Sequence, residues 1–124
     1  MNKKTVGKKY ENLACSYLQQ NGYTVLKQNY RYGKKEIDII ASTGKVLVFA
    51  EIKYRTRNRT YNAFNAVSKQ KMRNIITCAS GFISLYKAYR DYYSRFDVLV
   101  VIKNNNTARE VHHIKNAFSV STVN

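Results

Sequence analysis

Two carboxylates and a lysine define the chemistry open to this chain. Glu36-Ile37-Asp38-Ile39-Ile40-Ala41 is followed, after a short turn, by Val46-Leu47-Val48-Phe49-Ala50-Glu51-Ile52-Lys53. Both stretches read as strands of one hairpin, with Ser42-Thr43-Gly44-Lys45 as turn material. Side chains alternate along a strand, so Glu51 and Lys53 project together from the end of an apolar strand. Ile37 and Ile39 are expected on one face of the first strand, Glu36 and Asp38 on the other. If Ala41 pairs with Val46, Asp38 lies opposite Phe49 and diagonal to Glu51. Diagonal Cα atoms are roughly 7–8 Å apart, within reach of each other's carboxylates.

Two carboxylates brought together in a half-buried place repel one another and lose hydration. A divalent cation relieves both costs, and Mg²⁺ takes one or two carboxylates plus waters and substrate phosphates. Lys53 could hold the attacking water or stabilise charge on a phosphate. This set suits metal-assisted phosphodiester hydrolysis, with Asp38 and Glu51 on the metal. An isolated E-x-K is a short motif, and a solvated strand edge gives the same letters.

The wider wording narrows the choice. Asp38 with Glu51-Ile52-Lys53 looks like the D…(D/E)-x-K core of the PD-(D/E)XK nuclease superfamily. Glu36-Ile37-Asp38-Ile39-Ile40-Ala41, Phe49-Ala50-Glu51-Ile52-Lys53-Tyr54-Arg55 and Arg95-Phe96-Asp97-Val98 resemble the small bacterial YraN (UPF0102) family of predicted endonucleases. That family is in turn similar to archaeal Holliday-junction resolvases. The resemblance runs from about Gly7 to Phe118. It implies a restriction-endonuclease-like fold, Mg²⁺ (or Mn²⁺) as cofactor, and DNA, including branched DNA, as substrate, with a homodimer as the assembly. It also implies roles for Glu11, through the G-E-x-x-A block matched by Glu11-Asn12-Leu13-Ala14, and for Lys69-Gln70. Glu11 would be a third metal acid, while Lys69 and Gln70 would assist at the phosphate. The chain has Tyr10 and Lys35 where the family pattern has glycine.

The elements that must position these residues follow from periodicity. Thr5 to Asn21 is helical, with Tyr10, Leu13, Ala14, Tyr17 and Leu18 on one stripe and Gly22 at the stop. Tyr23 to Asn29 is a first strand. Ser68 to Tyr86 is a second helix with a stripe of Met72, Ile75, Ile76, Ala79, Phe82, Ile83 and Tyr86. Extending that stripe back from Ile76 and Met72 reaches Lys69, which is expected to point inward at a helix N-terminus where anions are favoured. Arg95 to Ile102 is apolar on both faces beyond Asp97, as in a central covered strand. Glu110 to Ile114 is a last strand, and Lys87 to Ser94 a polar connection. The fold class is α/β, in the order α-β-β-β-α-β-β, with a mixed sheet of about five strands flanked by helices. It is a single nuclease-like domain over 1–124 with its core at about 5–118.

The other acids and ligand types carry less. Asp97 is expected to have a structural hydrogen-bonding role. His112 and His113 are neighbours that a strand sends to opposite faces, so they are surface or packing residues. Cys15 and Cys78 have no metal-ligand spacing and are expected as packed thiols.

Bulk charge points to the partner. Among 124 residues, 22 Lys+Arg stand against 7 Asp+Glu, for a formal net charge of +15. Such an excess predicts a polyanion partner, nucleic acid first and an acidic membrane surface second. No basic amphipathic anchor helix supports the membrane, and no secretory signal or membrane span is present, which gives a cytoplasmic expectation. After Lys53, Tyr54, Arg55, Arg57 and Arg59 lie in a polar loop whose residue types suit phosphate contact and base stacking. A metal-dependent endonuclease is therefore the first expectation. A non-catalytic module that binds DNA or RNA is the second, because charge serves binding as well as cutting.

Overall fold

The hairpin that carries the acids closes more tightly than the sequence suggested. In this computed structural model, which describes residues 3–56, 67–104 and 108–123, strands β2 (Lys35–Thr43) and β3 (Val46–Thr56) are joined by Gly44-Lys45 alone. Thr43 pairs with Val46 and Ala41 with Val48, so the expected Ala41–Val46 pairing is off by two. The reason is Gly44, whose φ of 55° permits a two-residue turn that the longer turn reading did not require. The β2–β3 pairing ends at Ile39–Ala50, so Asp38 and Glu51 are the first residues beyond the ladder on each strand.

Helix α1 (Lys3–Gln20) and strand β1 (Thr24–Tyr32) precede the hairpin. After it come helix α2 (Lys69–Leu85), a 3-10 turn Lys87–Tyr89, strands β4 (Tyr93–Asn104) and β5 (Ala108–Phe118), and a last helical turn, α3 (Val120–Val123). Apart from that final turn the order is the α-β-β-β-α-β-β expected of a restriction-endonuclease-like chain. All five strands join one mixed sheet in the order β1-β2-β3-β4-β5. β3 and β4 are parallel and the other neighbours antiparallel. A parallel pair needs a crossover, and α2 lies within it. β1 and β5 extend beyond their expected limits because backbone pairing carries their polar ends, such as Arg31–Glu36 and Lys103–Arg109.

Each helix covers one sheet face. Ala14, Cys15 and Leu18 of α1 pack with Ile39, Ala41, Val48, Ala50, Ile52, Leu99 and Val101. Ile75, Cys78, Ala79 and Phe82 of α2 pack with Ile37, Ile40, Leu47, Phe49, Val98, Val100 and Ile102. β4 thus supplies alternate residues to both clusters, which is why it reads as apolar throughout. Both cysteines are free and buried, as expected.

The helix ends are specified locally. Gly22 (φ 86°) ends α1, with Tyr23 N–H donating to Leu18 C=O and Gly22 N–H to Gln19 C=O. That pair of bonds is a Schellman stop. Ser68 caps α2 by accepting the Lys71 N–H at 3.1 Å. Gly81 inside α2 has a packing reason: a Cβ there would lie 2.4 Å from the Tyr32 ring. Among the described residues no helix is long and apolar enough to cross a membrane.

Candidate active site

Ile37 belongs to the α2-side cluster and Ile39 to the α1-side cluster, so the strict alternation expected of β2 breaks at Asp38. The β2–β3 ladder also ends there, at Ile39–Ala50. One backbone donor that β2 leaves unpaired is taken by a side chain: Ile52 N–H donates to Asp38 Oδ2 at 2.8 Å. Beyond this point β3 continues against β4 while β2 diverges, and the acids occupy the opening.

Glu51 lies deepest, with 5% of its surface exposed. Its Oε1 is 3.3 Å from Lys53 Nζ and 3.8 Å from Lys71 Nζ. Its Oε2 is buried without a hydrogen-bond partner. Leaving a buried carboxylate oxygen unpaired is costly, and such groups call for an explanation. Burial first, and then the neighbouring Asp38, push the Glu51 carboxyl from 4.5 up to about 7, while Lys71 and Lys53 pull it down.

Glu11 approaches from α1. Asn29 Nδ2 donates to its Oε1. Asn29 has a positive φ of 53°, a conformation that asparagine tolerates better than most residues. Burial raises the Glu11 carboxyl above its usual range, Asn29 opposes this, and Asp38 and Glu36 push further upward. Of the chain's 7 acids, Asp38 thus lies near enough to repel both Glu11 and Glu51, and Glu36 to repel Glu11. Among the described residues, however, no three His, Cys, Asp or Glu side chains gather as a metal-binding group. The structure brings Asp38 and Glu51 together but does not bring Glu11 into a three-acid cluster with them.

Of the two α2 residues expected at the phosphate, Lys69 is exposed to solvent. Gln70 donates instead to Asn74 Oδ1 at 3.0 Å, one turn along the helix. The lysine that reaches Glu51 is Lys71, which sequence reasoning missed. The buried stripe of α2 is Ile75, Cys78, Ala79 and Phe82. Stepping back four residues from Ile75 gives Lys71, whereas stepping back from the half-buried Met72 and Ile76 gave Lys69.

Next along β3, Tyr54 lies against Tyr10 of α1, with ring centroids 4.9 Å apart. Its hydroxyl donates to Gly7 C=O at 3.5 Å. Burial raises the Tyr54 phenol above its usual range, and Asp38, Glu11 and Glu51 add to the shift. Arg55 Nη1 donates to Tyr54 C=O at 2.6 Å. Arg57 and Arg59 lie outside the described residues.

A second polar cluster, away from this opening, was only half foreseen. Asp97 is fully buried and accepts from Arg95 Nε and Nη2, from Asn116 N–H at 2.9 Å and from His113 Nε2 at 2.6 Å. Arg95 also donates to the Tyr23 hydroxyl at 2.7 Å, and His113 Nδ1 lies 3.1 Å from the Tyr17 hydroxyl. Burial opposes ionisation of Asp97, but His113, Arg95 and the Asn116 N–H outweigh it and hold the carboxyl below its usual range. The structural role expected for Asp97 has its partners in β4 and β5, and His113 links it onward to Tyr17 of α1. His112 faces the other way and pairs with Glu110 at 3.1 Å, so the two histidines diverge as expected.

The comparisons with known proteins place the chain. A family model described as Uncharacterised protein family UPF0102 matches residues 10–101. A UPF0102 protein of Lachnoclostridium phytofermentans is 39% identical over 118 residues, covering 95% of this chain and 96% of the relative. One from Chlorobium chlorochromatii is 38% identical, covering 93% and 92%. Another from Vibrio parahaemolyticus is 35% identical, covering 94% of each chain. Among solved structures, that of Archaeoglobus fulgidus Hjc, a Holliday junction resolvase, aligns with a TM-score of 0.45 and 14% identity. That alignment covers 93% of this chain and 88% of the resolvase. On the family model and these relatives, the chain belongs to the uncharacterised protein family UPF0102.

Proposed function

We propose that the chain is a divalent-metal-dependent endonuclease that hydrolyses DNA phosphodiester bonds at the opening between β2 and β3. The observation that carries this is Glu51: a carboxylate buried beside Asp38, with one oxygen unpartnered and two lysines at its other oxygen. A protein that only bound nucleic acid would have no use for a buried acid pair that repels its ligand. The donor set fits a hard cation. Asp38 and Glu51 would hold it, and waters and a substrate phosphate would complete its shell, as is usual for Mg²⁺, with Mn²⁺ as a substitute. When bound, such an ion polarises a phosphoryl oxygen and makes water a stronger nucleophile.

The chain's own residues supply the rest. Lys53 and Lys71 set positive charge at the Oε1 of Glu51 and offer N–H donors to a phosphate or a water as charge develops. The Ile52 N–H fixes the Asp38 carboxylate in place, so one acid is oriented before any ligand arrives. Glu11, tied to Asn29, adds negative field at the α1 side of the opening. Lys69 and Gln70, on the solvent side of α2, would contact DNA only outside this centre. Arg55, with Arg57 and Arg59, would neutralise backbone phosphates, and Tyr54 would meet a base.

The test compares wild type with an Asp38→Ala, Glu51→Ala variant on plasmid, single-stranded and four-way-junction DNA, in Mg²⁺, Mn²⁺ and EDTA. Metal-dependent cutting by wild type alone, with DNA binding kept in the variant, is the expected result. Cutting in EDTA, or equal cutting by both proteins, removes the proposal.

A further inference from the structure

On the α1 face, just beyond the acids, the sheet forms a small pocket. Tyr54, Thr56, Val101 and Lys103 line it from the parallel β3–β4 pair, in which Tyr54 is level with Val101 and Thr56 with Lys103. Tyr10 of α1 and Arg55 complete the lining around a cavity of about 160 Å³. Drug-sized ligands occupy sites of roughly 300–1,000 Å³, so this one suits a single ring system. Among the described residues its lining pairs two aromatic rings and an apolar valine with two cations and includes no carboxylate. Rings for a flat π-face and cations for an attached anion together describe a nucleobase that carries a phosphate. The Tyr54 ring is positioned by Tyr10 and Gly7 on the helix side and remains 42% exposed.

We propose that this pocket holds one unstacked nucleobase of a DNA strand whose neighbouring phosphate lies at the Asp38–Glu51 opening. This deepens the proposed function and rests on its nucleic-acid part. A strand is favoured over a free nucleotide by position. Tyr54 follows Glu51 by three residues on β3, about 10 Å at strand spacing, with its ring on the α1 face against Tyr10 and the Glu51 carboxylate on the α2 face beside Lys71. A strand that crosses the opening between β2 and β3 from the α2 face to the α1 face brings the nucleotide next to the reacting phosphate to the rings. A fully paired duplex keeps its bases stacked inside, so the substrate class is DNA with unpaired nucleotides beside the cut.

The test uses the full chain in EDTA, so that no cutting intervenes. Anisotropy compares three labelled duplexes: one with a single unpaired adenine, one with an abasic residue in its place, and one fully paired. Base stacking on an aromatic side chain makes the unpaired adenine bind about 5- to 140-fold tighter than the abasic site. Tyr54→Ala abolishes the difference, and Tyr54→Phe, which keeps the ring, preserves it. Equal binding of adenine and abasic duplexes by wild type, or a preference that survives Tyr54→Ala, overturns the pocket. Free dAMP that competes at the dissociation constant of the bulged duplex assigns the pocket to free nucleotides and also overturns it. Metal-dependent cutting without any base preference sinks this inference alone. Base preference without cutting sinks the hydrolytic reading and leaves the pocket standing.

Discussion

Replacing Glu51 by Gln should make the protein more stable, and the structure says where in pH and by how much. The carboxyl is raised from 4.5 to about 7, chiefly by burial and then by Asp38. Between those values the folded chain keeps a proton that the unfolded chain has released. Stability therefore falls as pH rises through this window and levels off above it. At 1.36 kcal/mol per pKa unit, holding Glu51 ionised at pH 8 costs the native state about 3 kcal/mol. Gln keeps the shape without the charge. Urea unfolding at pH 8 in EDTA should show Glu51→Gln about 3 kcal/mol more stable than wild type, and the gap should close near pH 4.5. Saturating Mg²⁺, at about 100 times its dissociation constant, should then raise wild type by about 2.7 kcal/mol and leave the variant unchanged. A variant equal to or weaker than wild type at pH 8 would refute the view that this acid is strained in the absence of an ion.

Other consequences are as accessible. Lys71→Met should push the Glu51 titration further upward, moving the acid limb of the cutting profile to higher pH, whereas Lys69→Met should leave that limb in place; pH–rate curves decide between them. Asp97→Asn should cost about 3–5 kcal/mol by breaking a buried pair, read as a lower urea midpoint. Because the Asp97 carboxyl is held low, its contribution is present above the unfolded value of 3.8 and is lost as pH falls through the folded value, so wild type and variant should converge in acid. Arg55→Ala should lower the slope of log affinity against log salt by about 1 for any DNA sequence, measured by anisotropy titrations at several salt concentrations.

Much of this was legible in the sequence because it is local. Strand alternation put Glu51 and Lys53 on one side, Gly22 marked the end of α1, and Ser68 the start of α2. The same locality explains the misses. The hairpin register depended on whether Gly44 closes a two-residue or a longer turn, and the letters allow both. Lys71 was missed because α2 carries apolar residues over a broad arc, and the choice of Ile75 or Ile76 as its centre rotates the N-terminal turn. The breach of alternation at Asp38 arises where two strands part, which no single strand encodes. Asp97 and His113 meet across β4 and β5, where the pairing slips between Phe96 and Val98, and Asn29 meets Glu11 from a left-handed backbone. Such contacts join residues far apart in the chain and leave no periodic trace.

The measurement that bears most directly on the central claim is anomalous scattering from a crystal soaked in Mn²⁺. The account predicts a metal peak in contact with both the Asp38 and Glu51 carboxylates, and no such peak in the Glu51→Gln protein. A peak held elsewhere, or an opening that stays free of metal in a preparation that still cuts DNA, would contradict it.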